Sequence, residues 1–166
     1  VAFAVDCLYG FNLKRHIRII SSGKILTGFD IIKNMCIGAD MVNIARGMLL
    51  SLGCIQALEC NKNTCPTGIA TQNSSLMSGI DVNNKKDRVA KYHSETVHSM
   101  IDLLSATGHN DISKLDRSHI FRRISPIDIK TYNEIYPIIN KGAFIDGDIP
   151  KKYLEDFNKA NINSFI

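Results

Sequence analysis

The sequence predicts an α/β protein that contains parallel βα units. Three observations predict it: apolar residues recur at helical spacing, a short β-branched run ends in a glycine loop, and the connections between segments are tight. The order helix, strand, helix, strand is typical of a parallel sheet or a (β/α) barrel. With 166 residues, of which 45% are hydrophobic, the chain is long and apolar enough to bury a core.

The predicted elements of the first two thirds alternate along the chain. In order they are a helix over 1–13, a buried strand over 17–20, a helix over 27–37, a strand over 41–44 and a long helix over 85–106. Gly10, Gly38 and Gly108 lie where the three helices are expected to end. Each strand is therefore followed by a helix.

The last third of the sequence predicts further helices. Residues 113–120 have a helical pattern, and Ser125-Pro126 has the sequence of a helix start. Residues 142–150 have the composition of a linker, and an amphipathic segment begins at Pro150. We therefore expect an α-helical C-terminal extension.

Charge and hydropathy exclude two classes of partner. The net charge is +4, from 20 basic and 16 acidic residues, and the basic residues form short pairs without interleaved aromatic residues. This pattern predicts a solvated surface and no nucleic-acid binding. The longest apolar stretch, residues 48–52, is far shorter than a membrane span. Because no charged segment followed by an apolar run begins the sequence, we expect a cytoplasmic protein without a membrane span.

Five cysteines contain the strongest chemical signal. They are Cys7, Cys36, Cys54, Cys60 and Cys65. The first two lie in helical patterns and are predicted to be buried thiols. The other three lie within twelve residues in a loop rich in Asn, Thr and Gly, and Pro66 follows the last of them. An odd number of cysteines without a secretion signal argues against a disulfide framework.

Three clustered thiolates are soft ligands that select zinc, copper(I) or an iron–sulfur cluster. A structural zinc site needs four protein ligands, and the fourth would have to be His93 or His98 on the predicted long helix. Three ligands without a fourth suit a [3Fe–4S] cluster, in which one iron corner is missing. Three thiols that bind no metal remain an alternative at this point.

The sequence around these cysteines resembles a known family. Residues 38–72, GADMVNIARGMLLSLGCIQALECNKNTCPTGIATQ, closely resemble the FMN-binding domain of glutamate synthases. They look nearest to the shorter glutamate synthase-related proteins that lack a glutaminase domain. Residues 17–40 and 121–137 resemble the same group. The resemblance covers most of the chain and weakens beyond about Gly142.

The resemblance implies a fold and a cluster site. Residues 1–108 would form the last two βα units of a (β/α)8 TIM barrel, with an iron–sulfur loop over 53–72. Residues 109–166 would form the helical extension. The family's three cluster ligands correspond to Cys54, Cys60 and Cys65, which would hold a [3Fe–4S] cluster.

The resemblance also implies a flavin site. In such barrels the FMN phosphate lies at the loops after strands seven and eight. Those loops contain Ser22, Gly23, Lys24, Ala45 and Arg46. Gly23 lets backbone N–H groups approach a phosphate, while Lys24 and Arg46 add positive charge. Related flavin barrels often have Asp-Gly-Gly in the first loop and Gly-Arg in the second.

The implied activity is that of an oxidoreductase. Electrons from a donor such as ferredoxin or an NADPH-linked subunit would pass through the cluster to FMN and reduce 2-iminoglutarate to glutamate. The substrates would be 2-oxoglutarate and ammonia or glutamine. Since a barrel takes about 250 residues, strands one to six and the catalytic groups are expected outside this sequence. We therefore assign no catalytic residue and expect the fragment to be inactive alone.

Two alternative functions belong to other classes. One is a non-catalytic iron–sulfur or zinc-binding interaction module. The other is a different FMN barrel reaction, such as oxidation of a 2-hydroxy acid. That chemistry uses an active-site histidine near the flavin, and no predicted βα loop contains a candidate.

Overall fold

The computed structural model describes residues 1–164. Phe165 and Ile166, the end of the predicted extension, lie outside the described residues. The helices are α1 Ala2–Gly10, α2 Gly28–Ile37, α3 Arg46–Leu52, α4 Ser74–Met77, α5 Val82–Ala106, α6 Tyr132–Ile135 and α7 Lys151–Lys159. The strands are β1 Ile20–Ser22, β2 Met41–Asn43, β3 Phe121–Arg123 and β4 Ile129–Thr131. Short 3₁₀ turns cover Cys60–Lys62, Ile112–Lys114 and Arg117–His119.

The strands β1 and β2 pair in parallel, as the sequence predicts. Ile20 is opposite Met41 and Ser22 is opposite Asn43. The first strand begins at Ile20 and not at residue 17, because the Asp40 carboxylate accepts the N–H of Ile19 at 2.7 Å in place of a strand partner. The predicted burial of this strand is wrong for Ile20, whose side chain is 61% exposed. Only two strands form this sheet within the described residues. Ser21 is buried, whereas Ile20 and Ser22, whose side chains alternate to the opposite face, are exposed.

Local signals fix both ends of α2 and the start of α5. At the start of α2, the Thr27 side chain accepts the N–H of Asp30, and the Asp30 carboxylate accepts the N–H of Thr27, which is a capping box. Gly38 ends α2 in the left-handed conformation, with φ at +114°. The long helix α5 begins three residues before the predicted start because the Asp81 side chain caps it by accepting the N–H of Asn84.

The main core lies between α2, α5 and the segment that follows α5. Its buried residues are Ile32, Cys36, Leu104, Leu115 and Ile120. The predicted burial of Cys36 is therefore confirmed. Residues on both sides of position 108 contribute to this one core, and the domain division at residue 108 stays a prediction.

The predicted all-helical extension is wrong in two places. Strands β3 and β4 form an antiparallel hairpin, and Ser125-Pro126 lies in its turn, where the Ile124 N–H donates to the Asp128 carbonyl at 2.9 Å. Residues 113–120 form no continuous helix but parts of two 3₁₀ turns, because Asp111 and Asp116 each cap a separate short turn. Pairing across the hairpin satisfies backbone groups that a helix would have satisfied locally.

The predicted linker over 142–150 is packed and not free. The N–H of Phe144 donates to the Gly10 carbonyl at 3.0 Å, and Phe144 is only 5% exposed. It belongs to a second buried cluster with Ile139, Ala143 and Tyr153. The predicted helix after Pro150 is confirmed as α7. In residues 1–164, no helix is long and apolar enough to cross a membrane.

Candidate functional site

The parallel pair places two loops at one edge of the sheet. Ser22 and Asn43 are the last residues of β1 and β2, and they are register partners. Because the carboxyl ends of parallel strands meet at the same edge, the loop after Ser22 and the loop after Asn43 are neighbours. The five predicted phosphate residues, Ser22, Gly23, Lys24, Ala45 and Arg46, are therefore brought to one edge, and all five are exposed.

The first of these loops is a tight turn with free donors. Gly23 has φ at +104° and Lys24 has φ at +56°, so two consecutive residues adopt positive φ. A Cβ at Gly23 would meet no atom within 4 Å, so glycine is required by backbone conformation and not by lack of space. Within the described part of the chain, the N–H groups of Gly23 and Lys24 donate no hydrogen bond. They can therefore donate to a ligand.

The second loop leads directly into α3. Ala45 is the N-cap residue, and its side chain supplies no capping hydrogen bond. Arg46 is the first helical residue, and its guanidinium has no carboxylate within 4.0 Å among residues 1–164. Uncapped N–H groups together with unpaired cations are the features that bind a phosphate. Two exposed cations, Lys24 and Arg46, thus belong to loops at the same edge.

Helix α3 connects this edge to the cysteine loop. It has seven residues, Arg46–Leu52, and is therefore about 10 Å long. Gly53 ends it in the left-handed conformation, and the Cys54 N–H donates back to the Leu49 carbonyl at 3.0 Å. The first cysteine of the trio is thus fixed at the end of α3.

The cysteine loop is closed by its own hydrogen bonds. Asn63 accepts the Thr71 hydroxyl at its carbonyl and the Gln72 N–H at its side-chain oxygen, both at 2.6 Å. Gly68 is buried with φ at +74°, and a Cβ there would lie 2.2 Å from the Leu76 carbonyl oxygen. These contacts hold the loop in one conformation, with Cys65 on its inner side.

The three thiols have different surroundings. Cys65 is only 7% exposed, and its sulfur lies 3.3 Å from the Thr67 hydroxyl. Cys60, by contrast, is exposed at the start of a 3₁₀ turn. The Cys54 sulfur accepts the N–H of Gln56 at 3.4 Å.

Hydrogen bonds stabilise the thiolate form of Cys65. Those from the Thr67 side chain and then from the Ala70 backbone lower the pKa of the Cys65 thiol to about 7. Thiolates are the form that binds iron, and hydrogen bonds to sulfur are typical of iron–sulfur sites. Thr67 belongs to the cysteine motif, directly after Cys65-Pro66, but the sequence did not predict that its hydroxyl contacts the Cys65 sulfur.

The arrangement of the thiols and histidines bears on which metal they can bind. Within residues 1–164, no three His, Cys, Asp or Glu side chains converge closely enough to hold one metal ion. A single zinc ion therefore has no preformed site, and neither His93 nor His98 completes one. A cluster has a different requirement, because each of its thiolates binds a separate iron. Cys54, Cys60 and Cys65 lie on one loop, but their side chains do not converge on a single point, and hydrogen bonds stabilise only Cys65 as thiolate. The ligand set Cys54, Cys60 and Cys65 therefore stays a prediction.

Comparison with known proteins places this βα arrangement in a family. A family model described as a conserved region in glutamate synthase matches residues 1–110. The chain belongs to the glutamate synthase family. The resemblance stated from the sequence is thus confirmed at the level of the family.

Three relatives illustrate the similarity. The chain is 39% identical to the glutamate synthase large subunit-like protein YerD of Bacillus subtilis over 113 residues, which are 68% of this chain and 22% of that protein. It is 36% identical to the archaeal glutamate synthase [NADPH] of Methanocaldococcus jannaschii, over 63% of this chain and 20% of that protein. It is 24% identical to the glutamate synthase [NADH] of Saccharomyces cerevisiae, over 86% of this chain and 7% of that protein. The chain thus spans about a fifth of the first two relatives.

Proposed function

We propose that this chain is the C-terminal part of a glutamate synthase-like oxidoreductase that uses FMN and a [3Fe–4S] cluster. The observation that carries the proposal is the course of α3. This helix begins at Arg46, beside the loop after β1, and ends at Leu52, and its C-cap Gly53 directly precedes Cys54. A phosphate loop and a thiolate loop are therefore joined by a rigid element about 10 Å long.

The flavin phosphate would be held at the carboxyl edge of β1 and β2. The free N–H groups of Gly23 and Lys24 would donate to it, and the side chains of Lys24 and Arg46 would add two positive charges. Ser22 and Ala45 would position these two loops. A phosphate at this position is also what a (β/α)8 barrel provides at its last two strands.

The three thiols of the loop would hold the cluster. Cys65 would bind as the thiolate, Cys54 is fixed by the end of α3, and Cys60 is exposed at the start of a 3₁₀ turn. When bound, the cluster would transfer electrons and FMN would reduce 2-iminoglutarate to glutamate. The 2-iminoglutarate would form from 2-oxoglutarate and ammonia, with the ammonia either free or derived from glutamine. The chain's own residues would position both groups and shield them from water.

The remaining barrel strands would belong to another part of the protein. The first two relatives are about five times as long as the matched segment, and the exposed Ile20 and Met41 on β1 and β2 fit a sheet that continues. Catalytic acid and base groups would lie on those other strands. The names of two relatives include NADPH or NADH, which supports an NADPH-linked electron donor, with ferredoxin as the alternative.

The experiment is an absorption spectrum of the full-length protein, purified without oxygen, with iron and flavin quantified. We expect flavin bands together with a broad iron–sulfur shoulder. Cys60→Ser should remove the shoulder and the bound iron and leave the flavin. Cys7→Ser is the matched control, because Cys7 lies on α1, outside the loop, and should change neither signal.

Other outcomes would identify the alternatives. Iron–sulfur absorption without flavin would support a non-catalytic interaction module. A colourless protein that contains zinc would overturn the cluster. Turnover of a 2-hydroxy acid by a flavin-containing protein would favour the other flavin reaction. Retention of iron in Cys60→Ser would contradict the ligand assignment.

A further inference from the structure

A basic groove lies at the other end of the parallel strand pair. It has a volume of about 340 Å³ and is bordered by the end of α1, the segment before β1 and the residue before β2. Four basic side chains line it together with one carboxylate: Lys14, Arg15, Arg18, Lys141 and Asp40. Arg18 and Asp40 precede β1 and β2, whereas the proposed flavin loops follow these strands. The groove is therefore separate from the flavin loops.

The single carboxylate does not neutralise the groove. Asp40 accepts hydrogen bonds from Lys14 at 2.7 Å, from Arg18 at 3.1 Å and from the Ile19 N–H at 2.7 Å. Partial burial alone would raise the pKa of Asp40, but these three donors outweigh it and lower the pKa. One negative charge is thus shared between two cations, and Lys14, whose side chain is only 14% exposed, is held in place.

The other two cations are unpaired. Neither Arg15 nor Lys141 has a carboxylate within 4.0 Å in the part of the chain that the structure describes. Because several like charges line one concave surface, the local potential favours an anion. A guanidinium group can bind a phosphate with two parallel hydrogen bonds, and an ammonium group adds a compact charge.

Asn12 provides an independent indication of a ligand. Its side chain lines the groove, and its Oδ1 is buried without a hydrogen-bond partner among residues 1–164. Buried polar atoms are nearly always hydrogen-bonded in folded proteins. Rotation of the amide by half a turn exchanges oxygen and nitrogen and presents an N–H donor at the same place. A bound oxyanion would satisfy that donor.

Leu8 and Tyr9 form an apolar wall beside the charged residues. The Tyr9 ring is 37% exposed and is therefore accessible for stacking. The groove is larger than a bare phosphate needs and lies at the small end of the range for small-molecule sites. The shape thus allows an organic group next to the anion.

We propose that this groove binds the phosphate group of a small phosphorylated ligand through Arg15, Lys141 and Asn12, with Lys14, which Asp40 holds in place, and the exposed Arg18 as neighbouring cations. The proposal is independent of the flavin and cluster assignments. It rests on the charge of the groove, the unpaired cations and the unsatisfied amide.

The test is calorimetric titration of the full-length protein with inorganic phosphate and with AMP at low ionic strength. FMN is kept saturating so that the flavin loops are occupied. We expect saturable binding, and Arg15→Ala/Lys141→Ala should weaken it by roughly tenfold or more, because two charge-assisted contacts are lost. The matched control is Lys86→Ala/Arg88→Ala, which removes the same charge from an exposed surface of α5 and should leave the affinity within about twofold.

A second variant tests the amide without removing a cation. Asn12 has φ at +56°, a conformation that aspartate also tolerates, so Asn12→Asp keeps the backbone turn, and circular dichroism verifies that the variant is folded before titration. It places a negative charge in the groove and should abolish phosphate binding. Tighter binding of AMP than of phosphate would indicate an organic phosphate as the ligand, and equal affinities would indicate free phosphate.

Three results would overturn the proposal. The first is the absence of saturable heat with either probe. The second is equal weakening by the two double variants, which would mean that only net charge matters. The third is loss of the heat in Arg46→Ala with full retention in Asn12→Asp, because the phosphate would then bind at the flavin loops.

Discussion

At the scale of single residues, the cysteine trio is chemically unequal. The hydrogen bond from Thr67 and those from the loop backbone bring the pKa of Cys65 to about 7. Burial in the main core raises the pKa of Cys36 to about 11. Near neutral pH, about half of the Cys65 thiol is therefore ionised, whereas the Cys36 thiol stays protonated.

We predict that Thr67→Val slows alkylation of Cys65 by iodoacetamide in metal-free protein at pH 7. The valine cannot donate to the sulfur, so the pKa of Cys65 rises and its thiolate fraction falls. Peptide mass spectrometry over a pH series would show the midpoint for Cys65 moving upward from about 7.

Thr64→Val is the matched control for this measurement. Thr64 belongs to the same loop, but its hydroxyl donates to Glu59 at 3.0 Å and not to a sulfur. The Cys65 midpoint should not change in this variant. An unchanged midpoint in Thr67→Val would show that the backbone donors alone stabilise the thiolate.

At the scale of elements, α2 shows how one local signal produces a stable helix start. Asp30 accepts from the N–H groups of Leu26 and Thr27 and from Lys33. Partial burial would raise the pKa of Asp30, but these hydrogen bonds, that of Lys33 foremost, lower it to about 2. The carboxylate also lies in the first turn of the helix, where a negative charge is favourable.

We predict that Asp30→Asn destabilises the protein by about 1 kcal/mol at pH 7. Because the folded-state pKa lies below the unfolded value, the charge stabilises the fold above about pH 4, and this contribution is lost as the pH falls towards about 2. Urea denaturation of both proteins at several pH values would therefore show a difference that shrinks on acidification. The exposed Asp87→Asn on α5 should show no such difference.

The hairpin β3–β4 shows the limit of local signals. Serine followed by proline is favoured at the start of a helix and also in a β-turn. The choice was made by pairing between Phe121–Arg123 and Ile129–Thr131. The local sequence around Ser125-Pro126 cannot reveal that the segments on its two sides pair with each other as strands.

At the scale of the whole molecule, the buried Asp6 carboxylate links the first and last helices and forms an ion pair with Arg117. Asp6 on α1 is fully buried and accepts from Arg117 at 2.7 Å and from the Tyr153 hydroxyl of α7. Arg117 also donates to the Tyr136 carbonyl at 2.7 Å. Burial and the contact with Asp6 raise the pKa of Tyr153, which therefore stays protonated and keeps donating.

We predict that Asp6→Asn lowers the free energy of unfolding by about 3 kcal/mol, because it leaves the Arg117 guanidinium buried without its counter-ion. Chemical denaturation of the full-length protein would measure the loss. In Glu155→Gln, which removes an exposed ion pair on α7, the change should stay within about 0.5 kcal/mol. Similar stabilities of the two variants would show that Arg117 finds other partners.

The sheet β1–β2 exposes apolar side chains. Ile20 and Met41 are 61% and 47% exposed, although the sequence pattern of the first strand predicts burial. Apolar strand residues gain free energy only when a layer covers them. This exposure fits the proposal that other strands of a longer protein cover these residues, since the chain spans only about a fifth of the first two relatives.

The sequence by itself determined the βα order, the ends of α2, the family and the clustering of Cys54, Cys60 and Cys65. These features depend on helical spacing, caps and local spacing, all of which act within a few residues. Only the tertiary structure decided that β3 and β4 form a hairpin, that Asp6 pairs with Arg117, and that four cations border one groove. Those outcomes depend on contacts between residues far apart in the chain, and only the packed fold brings such residues together.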